Sequence, residues 1–247
     1  MQTDVLIIGQ VICGTFLSRE LERAGLSYVV IDEERPLTAS RAAAGLINPV
    51  TGRRLVKTWM IDELLPFVQE EYRQAGEDLG ASFLRPARVV DFFPTPQMRL
   101  AFLKRYEEDP QYLQLPADDH SWDSLFRYEL GYGMIDPCYL VDLPGLLAAS
   151  RKKMLAEKVL WEEKFDPAAL ILEKGELSQK NIHYKDITAG RIIFCDGVES
   201  FINPWFSLLP FAPNKGEALV VEIPDLSTQT PMVFKKGMSL APWRDGL

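Results

Sequence analysis

Residues Asp4 to Asp32, DVLIIGQVICGTFLSRELERAGLSYVVID, read as a strand, a glycine turn, a helix and a second strand that ends in an acid. Val5 to Ile8 is an apolar run suited to a buried strand, and Gly9 opens a tight turn into a helix whose unbonded N–H groups can hold a pyrophosphate. That helix carries Cys13, Phe16, Leu17, Leu21 and Ala24 as an apolar stripe, sets Arg19, Glu20, Glu22 and Arg23 opposite, and stops at Gly25. Tyr28 to Ile31 is the second buried strand. Asp32 follows Gly9 by 23 residues, the spacing at which a carboxylate accepts ribose hydroxyls. The order is the front of a dinucleotide-binding unit. One position departs from it: Val11 stands where the fingerprint has its middle glycine, the residue that lets the backbone approach the pyrophosphate. Val11 argues for the fold and against the ligand.

Around this unit, 247 residues allow one large or two modest domains. A net charge of −8 gives no general electrostatic reason to bind nucleic acid or an acidic membrane, although a local basic patch is compatible with it. Asp4 precedes the first apolar run where a targeting segment would be basic, and Gly9, Gln10, Gly14 and Ser18 break that run too early for a membrane span, so a cytoplasmic protein is expected. Cys13, Cys138 and Cys195 are odd in number, far apart and without CxxC spacing, which reads as reduced, structural thiols. His120 and His183 are the only histidines and have no metal-like neighbours, so no metal site is expected.

Farther along, SRAAAGLINPVTGRRL is a small-residue segment suited to close approach of a ligand. Helices are expected over Ile61 to Leu79, Pro96 to Glu108 and Tyr139 to Ala156, the last with Leu140, Leu143, Leu147 and Met154 on one face. Strands are expected over Ser82 to Phe93 with a break at Pro86, then over Phe126 to Ile135, Lys158 to Phe165, Arg191 to Cys195, Glu217 to Ile223 and Met232 to Lys235. IIFCDG places a second strand-end turn, Asp196 and Gly197, in range of the first. LAPWRDGL reads as the first arm and turn of a hairpin without its second arm.

In that order, the N-terminal unit, SRAAAGLINP, IIFCDG and PFAPNKGEALVVEI resemble the D-amino-acid oxidase family of flavoproteins, the group with glycine oxidase. AAGLINPVTGRR is also similar to the glycine-rich segment of the family's oxidase domain in bifunctional tRNA-modifying enzymes. The resemblance implies an α/β fold: a Rossmann-like FAD-binding domain from residues 1–80 and 139–212, with an inserted α+β substrate domain from 81–138 and 213–247. It implies FAD as cofactor and oxidation of a primary or secondary amine or amino acid by hydride transfer to the flavin. Gly9, Val11 and Gly14 would form the pyrophosphate turn and Asp32 would bind the adenosine ribose. Ser40, Arg41, Ala44 and Gly45 would lie along the pyrophosphate and flavin edge. Phe165 would hold adenine through its backbone, and Asp196 and Gly197 would pass close to the flavin. The family's C-terminal part, with its flavin-facing turn and its substrate-carboxylate residue, has no counterpart up to Leu247, so no catalytic residue is assigned.

Other readings stay open on the residues alone. A truncated or degenerate homologue that no longer binds FAD is favoured by Val11, and an NAD-binding enzyme is compatible with Asp32. Tyr128, Tyr132 and Trp205 suit either a substrate pocket or a core, and Lys215 suits either a flavin neighbour or an exposed turn. A small-molecule amine is the expected partner, nucleic acid is disfavoured, and an unpaired strand edge at Met232 to Lys235 and Ser239 to Trp243 would favour homodimers or aggregation.

Overall fold

The structure, a computed structural model, describes all residues except 53, 119, 174–181, 224, 225, 227–230 and 244–247. In chain order its elements are β1 (Gln2–Ile8), α1 (Ile12–Arg23), β2 (Tyr28–Ile31), α2 (Ala39–Ala42), β3 (Leu46–Ile47), β4 (Val50–Thr51), β5 (Val56–Lys57), α3 (Ile61–Leu79), β6 (Leu84–Phe92), α4 (Pro96–Glu108), β7 (Leu113–Gln114), β8 (Tyr132–Val141), α5 (Leu143–Ala156), β9 (Leu160–Trp161), β10 (Leu170–Leu172), β11 (Ile182–Tyr184), β12 (Ile187–Phe194), β13 (Met232–Lys236) and β14 (Met238–Leu240). The chain divides into two compact units, Met1–Ala42 with Leu143–Ala218 and Ala43–Asp142 with Leu219–Leu247. Residues 43–80 and 139–142, expected in the first domain, fall in the second unit. The reason is packing: Ile61 and Leu65 of α3 share a core with Ala87 and Val89 of β6, and Tyr139 and Leu140 continue β8.

In the first unit the sheet order is β10-β11-β12-β1-β2-β9, with β12, β1, β2 and β9 parallel and β10 and β11 antiparallel. Leu6, Ile8, Val29 and Ile31 face one core with Tyr184 and Ile187, while Val5, Ile7, Tyr28 and Val30 face another with Leu21 of α1 and Met154 of α5. Burial on both faces is why these strands are continuous apolar runs. The strand expected over Lys158 to Phe165 shrinks to two residues, because β2 offers it only Val30 and Ile31 as partners.

The second unit has the sheet order β14-β13-β6-β8-β3, with β7 beside β8. One face packs Val89, Ile135 and Val233 against Ile61, Leu65 and Phe102 from α3 and α4. On the other face Val90, Phe92, Tyr132 and Phe234 meet Trp122, Phe126 and Tyr128. Tyr128 and Tyr132 thus belong to an aromatic core, with ring centroids 5.8 Å apart. β6 continues through Pro86, since β13 pairs only with Arg88 to Asp91 and the strand is still an edge at the proline. The irregularity comes just after it, where the pairing with β8 shifts register between Ala87 and Val89. The strand expected from Phe126 begins at Tyr132, and the helix expected from Tyr139 begins at Leu143, ahead of Pro144. Glu217 to Ile223 forms no strand, and Leu219 and Val220 lie exposed. Met232–Lys236 and Met238–Leu240 pair with each other as a hairpin and Met232 to Lys235 also pair with β6, so the strand expected to lack partners has them on both sides. The end of LAPWRDGL lies outside the described residues. Among the described residues no helix is long and apolar enough to cross a membrane.

Asp91 of β6 is buried and is met by Lys235 at 3.1 Å. Burial raises its pKa above the usual carboxylate value and Lys235 offsets this only in part. A raised folded-state pKa contributes stability that is complete below the unfolded value, about pH 4, and is lost as pH rises through the folded value. Asp91→Asn should therefore gain on the native chain as pH rises above about 4; denaturant midpoints from pH 3 to 8 that move in parallel for both chains would contradict this.

Candidate nucleotide site

The site is built at the carboxyl ends of β1, β2 and β12, where open parallel sheets leave a crevice. β1 ends at Ile8, and Cys195 N–H donates to the Ile8 carbonyl at 2.7 Å, which brings the Gly9 turn against the Asp196 turn. Gly9 has φ +102°, and a Cβ there would stand 2.5 Å from the Cys195 carbonyl oxygen. Only glycine fits both the conformation and the space. A Cβ on Gly14, in the first turn of α1, would stand 2.0 Å from the Gly9 carbonyl oxygen, so the missing side chain there allows helix and strand to pack closely.

A cavity of about 400 Å³ opens at this point, lined among others by Gly9, Val11, Asp32, Ser40, Phe165 and Asp196. Gly197 also lines it, with φ +60° at the start of a short 3-10 turn. Val11 is the N-cap of α1, and its backbone is extended (φ −98°, ψ −171°), a conformation any residue adopts without strain. The valine therefore puts no backbone strain on the turn; its effect on a ligand lies in the isopropyl group on the cavity wall. Ser40 accepts the Ile12 N–H at 3.4 Å, tying α2 to the first turn of α1.

Asp32 does more here than end a strand. Its Oδ2 accepts the Gln10 N–H at 2.8 Å, bracing the glycine turn, while Oδ1 accepts the Glu34 N–H at 2.8 Å and Arg151 Nη1 at 2.8 Å. A carboxylate has about four acceptor positions, so among the described residues one is left on Oδ2. Gln10, 1% exposed, donates from its side chain to Thr15 Oγ1 at 3.0 Å and to the Leu147 carbonyl at 3.1 Å, joining the turn to α1 and α5. Arg35 is paired with both Glu33 and Glu199, linking the end of β2 to the turn after β12. That pairing holds the Glu199 carboxyl below its usual range. Burial pushes the Cys195 thiol up to about 11, so it stays neutral and a poor nucleophile at pH 7.

Of the other expected residues, Arg41 lies in α2 with its guanidinium 3.8 Å from Glu34. Phe165 stacks on Tyr184 at 5.1 Å and meets Phe194 edge-on. Ala44 and Gly45 belong to the second unit, where a Cβ on Gly45 would stand 2.1 Å from the Val141 carbonyl oxygen. That glycine is explained by its packing on β8. Lys215 is exposed and paired with Glu217 at 2.6 Å, His120 with Asp123 at 2.8 Å, and Trp205 packs on Phe194. Sequence reasoning missed Arg151, Gln10 and Glu34. The signal for Arg151 was present: position 151 falls between Leu147 and Met154 on the apolar stripe of α5.

A glycine turn and a strand-end acid at the carboxyl ends of parallel strands, in a chain whose second unit is built on a mixed sheet, define an α/β fold with a Rossmann-like first unit. More narrowly, the fold is that of the D-amino-acid oxidase type. Glycine oxidase from Geobacillus kaustophilus superposes with a TM-score of 0.70 at 16% identity, over 99% of this chain and 69% of its own. L-amino acid deaminase from Proteus myxofaciens, in complex with anthranilate, gives 0.54 at 14% identity over 78% of this chain and 45% of its own. Iminodiacetate oxidase from Chelativorans sp. BNC1 gives 0.54 at 19% identity over 82% and 57%. The chain spans about half the length of the first solved structures it matches. No family model matches the sequence.

Proposed function

We propose that the first unit holds FAD and that the chain is the flavin-binding part of an oxidoreductase acting on a small amine or amino acid. The observation that carries this reading is the Asp32 carboxylate, fixed beside a glycine turn with one acceptor position left, in a fold shared with glycine oxidase. Gly9 and Gly14 leave the space that a Cβ would fill, and the first turn of α1 offers N–H groups and a positive dipole end to phosphates. Asp32 would accept a ribose hydroxyl, and Phe165 would lie toward the adenine. Asp32, Glu33, Glu163 and Glu199 on the cavity wall disfavour a further phosphate on that ribose. When bound, the flavin supplies the electron-accepting chemistry; the residues described here bind and orient it.

Val11 sets the affinity. Its side chain stands where the fingerprint leaves room, and glycine is a better N-cap than valine, so Val11→Gly should tighten FAD binding about tenfold, close to 1.4 kcal/mol, without lowering stability by more than about 1 kcal/mol. Flavin absorbance retained after gel filtration, titrated for both chains, measures this. Retention by neither chain supports the second reading, a homologue that keeps the fold without the cofactor. Cytoplasmic location and an amine substrate are part of the same proposal.

A further inference from the structure

Arg151 is a buried cation on the apolar stripe of α5, its side chain 4% exposed. A guanidinium so placed needs anionic partners to offset its lost hydration. It has three: Asp32 Oδ1 at 2.8 Å, Glu162 Oε1 at 3.0 Å and Glu34 Oε2 at 3.3 Å, with the Asp32 carbonyl 3.3 Å from Nη2. Asp32 is thus gripped from both sides, by Arg151 on Oδ1 and by the Gln10 N–H on Oδ2. Glu34 and Glu162 meet the same guanidinium, and Glu33 and Glu163 line the cavity beside Asp32. Carboxylates gathered so closely repel one another, and a guanidinium shared by three of them holds them in one arrangement.

We infer that Arg151 is the positioning residue that holds the Asp32 carboxylate in one orientation, with one Oδ2 position aimed at a ribose hydroxyl. Arg151 thereby gives the site its preference for a ribose-bearing nucleotide. This rests on the reading of the first unit as a nucleotide site.

The test uses ADP and 2′,3′-dideoxy-ADP, which carry the adenosine half without a flavin, titrated calorimetrically into the native chain, Arg151→Met and Arg151→Lys. One charge-assisted hydrogen bond predicts a preference of about tenfold for ADP in the native chain. In Arg151→Met the preference should fall below about twofold. Lysine, a point charge that cannot bridge Asp32 and Glu162 as a fork does, should keep an intermediate preference, and it carries the comparison if the methionine variant does not fold. A preference unchanged in the lysine or methionine variant overturns the inference. So does a native chain that binds both ligands equally or neither. A native preference for ADP that Arg151→Met abolishes, in a chain that retains no FAD, would sink the flavin reading and leave the role of Arg151 standing.

Discussion

Alanine at position 14 should destabilise the first unit by about 3 kcal/mol or more. The added Cβ would lie 2.0 Å from the Gly9 carbonyl oxygen and 3.4 Å from the Cys195 Cβ. Alanine in a helix is worth about 1 kcal/mol over glycine, so propensity alone predicts the opposite sign. The clash wins because its partner cannot retreat. The Gly9 N–H is bound to the Ile31 carbonyl at 2.9 Å, and Gly9 is itself pressed against Cys195. Since a domain of this kind has only about 5–15 kcal/mol of net stability, the denaturant midpoint should fall clearly. A change within 1 kcal/mol of the native chain would show that α1 shifts along the sheet at little cost.

In the second unit Phe102→Ala should cost about 3–5 kcal/mol. Phe102 is the single buried residue of α4 and is fully enclosed. Its ring packs 5.2 Å from that of Phe93 and lies over Gly133, where a Cβ would meet three ring atoms at 2.1 to 2.5 Å. Because Gly133 has no side chain to move into the space, collapse is limited and the upper part of the range is expected. Gly133→Ala should destabilise the native chain for the converse reason. In the Phe102→Ala background the same change should be tolerated, so the two substitutions couple favourably. Additive losses in a double-mutant cycle would mean that ring and glycine do not share one space.

The elements legible in the sequence are those whose causes are local. Helix α3 spans Ile61–Leu79 and α4 spans Pro96–Glu108, as the periodicity predicts, since Gly80 closes the first in a left-handed conformation and Thr95 caps the second by accepting the Met98 N–H. The strands misread are those whose partners are distant. β8 reaches Val141 because Leu84 to Ala87 pair with it, while Glu217 to Ile223 has the composition of a strand and no strand beside it among the described residues. Val11 shows the same division: its identity breaks the fingerprint on paper, whereas its extended backbone leaves the turn unstrained.

By itself the sequence determined the glycine turn, the acid at the end of the second strand and the two-sided burial of the strands between them, because turn conformation and apolar periodicity are properties of neighbouring residues. Only the tertiary structure decided what Asp32 is able to do. Among the described residues its carboxylate accepts from Gln10, Glu34 and Arg151, and the last lies 119 residues away on a helix whose buried face brings a guanidinium to it. A charge on the apolar stripe of α5 is legible locally, but which carboxylate it meets is not: that follows from how α5 packs on the sheet.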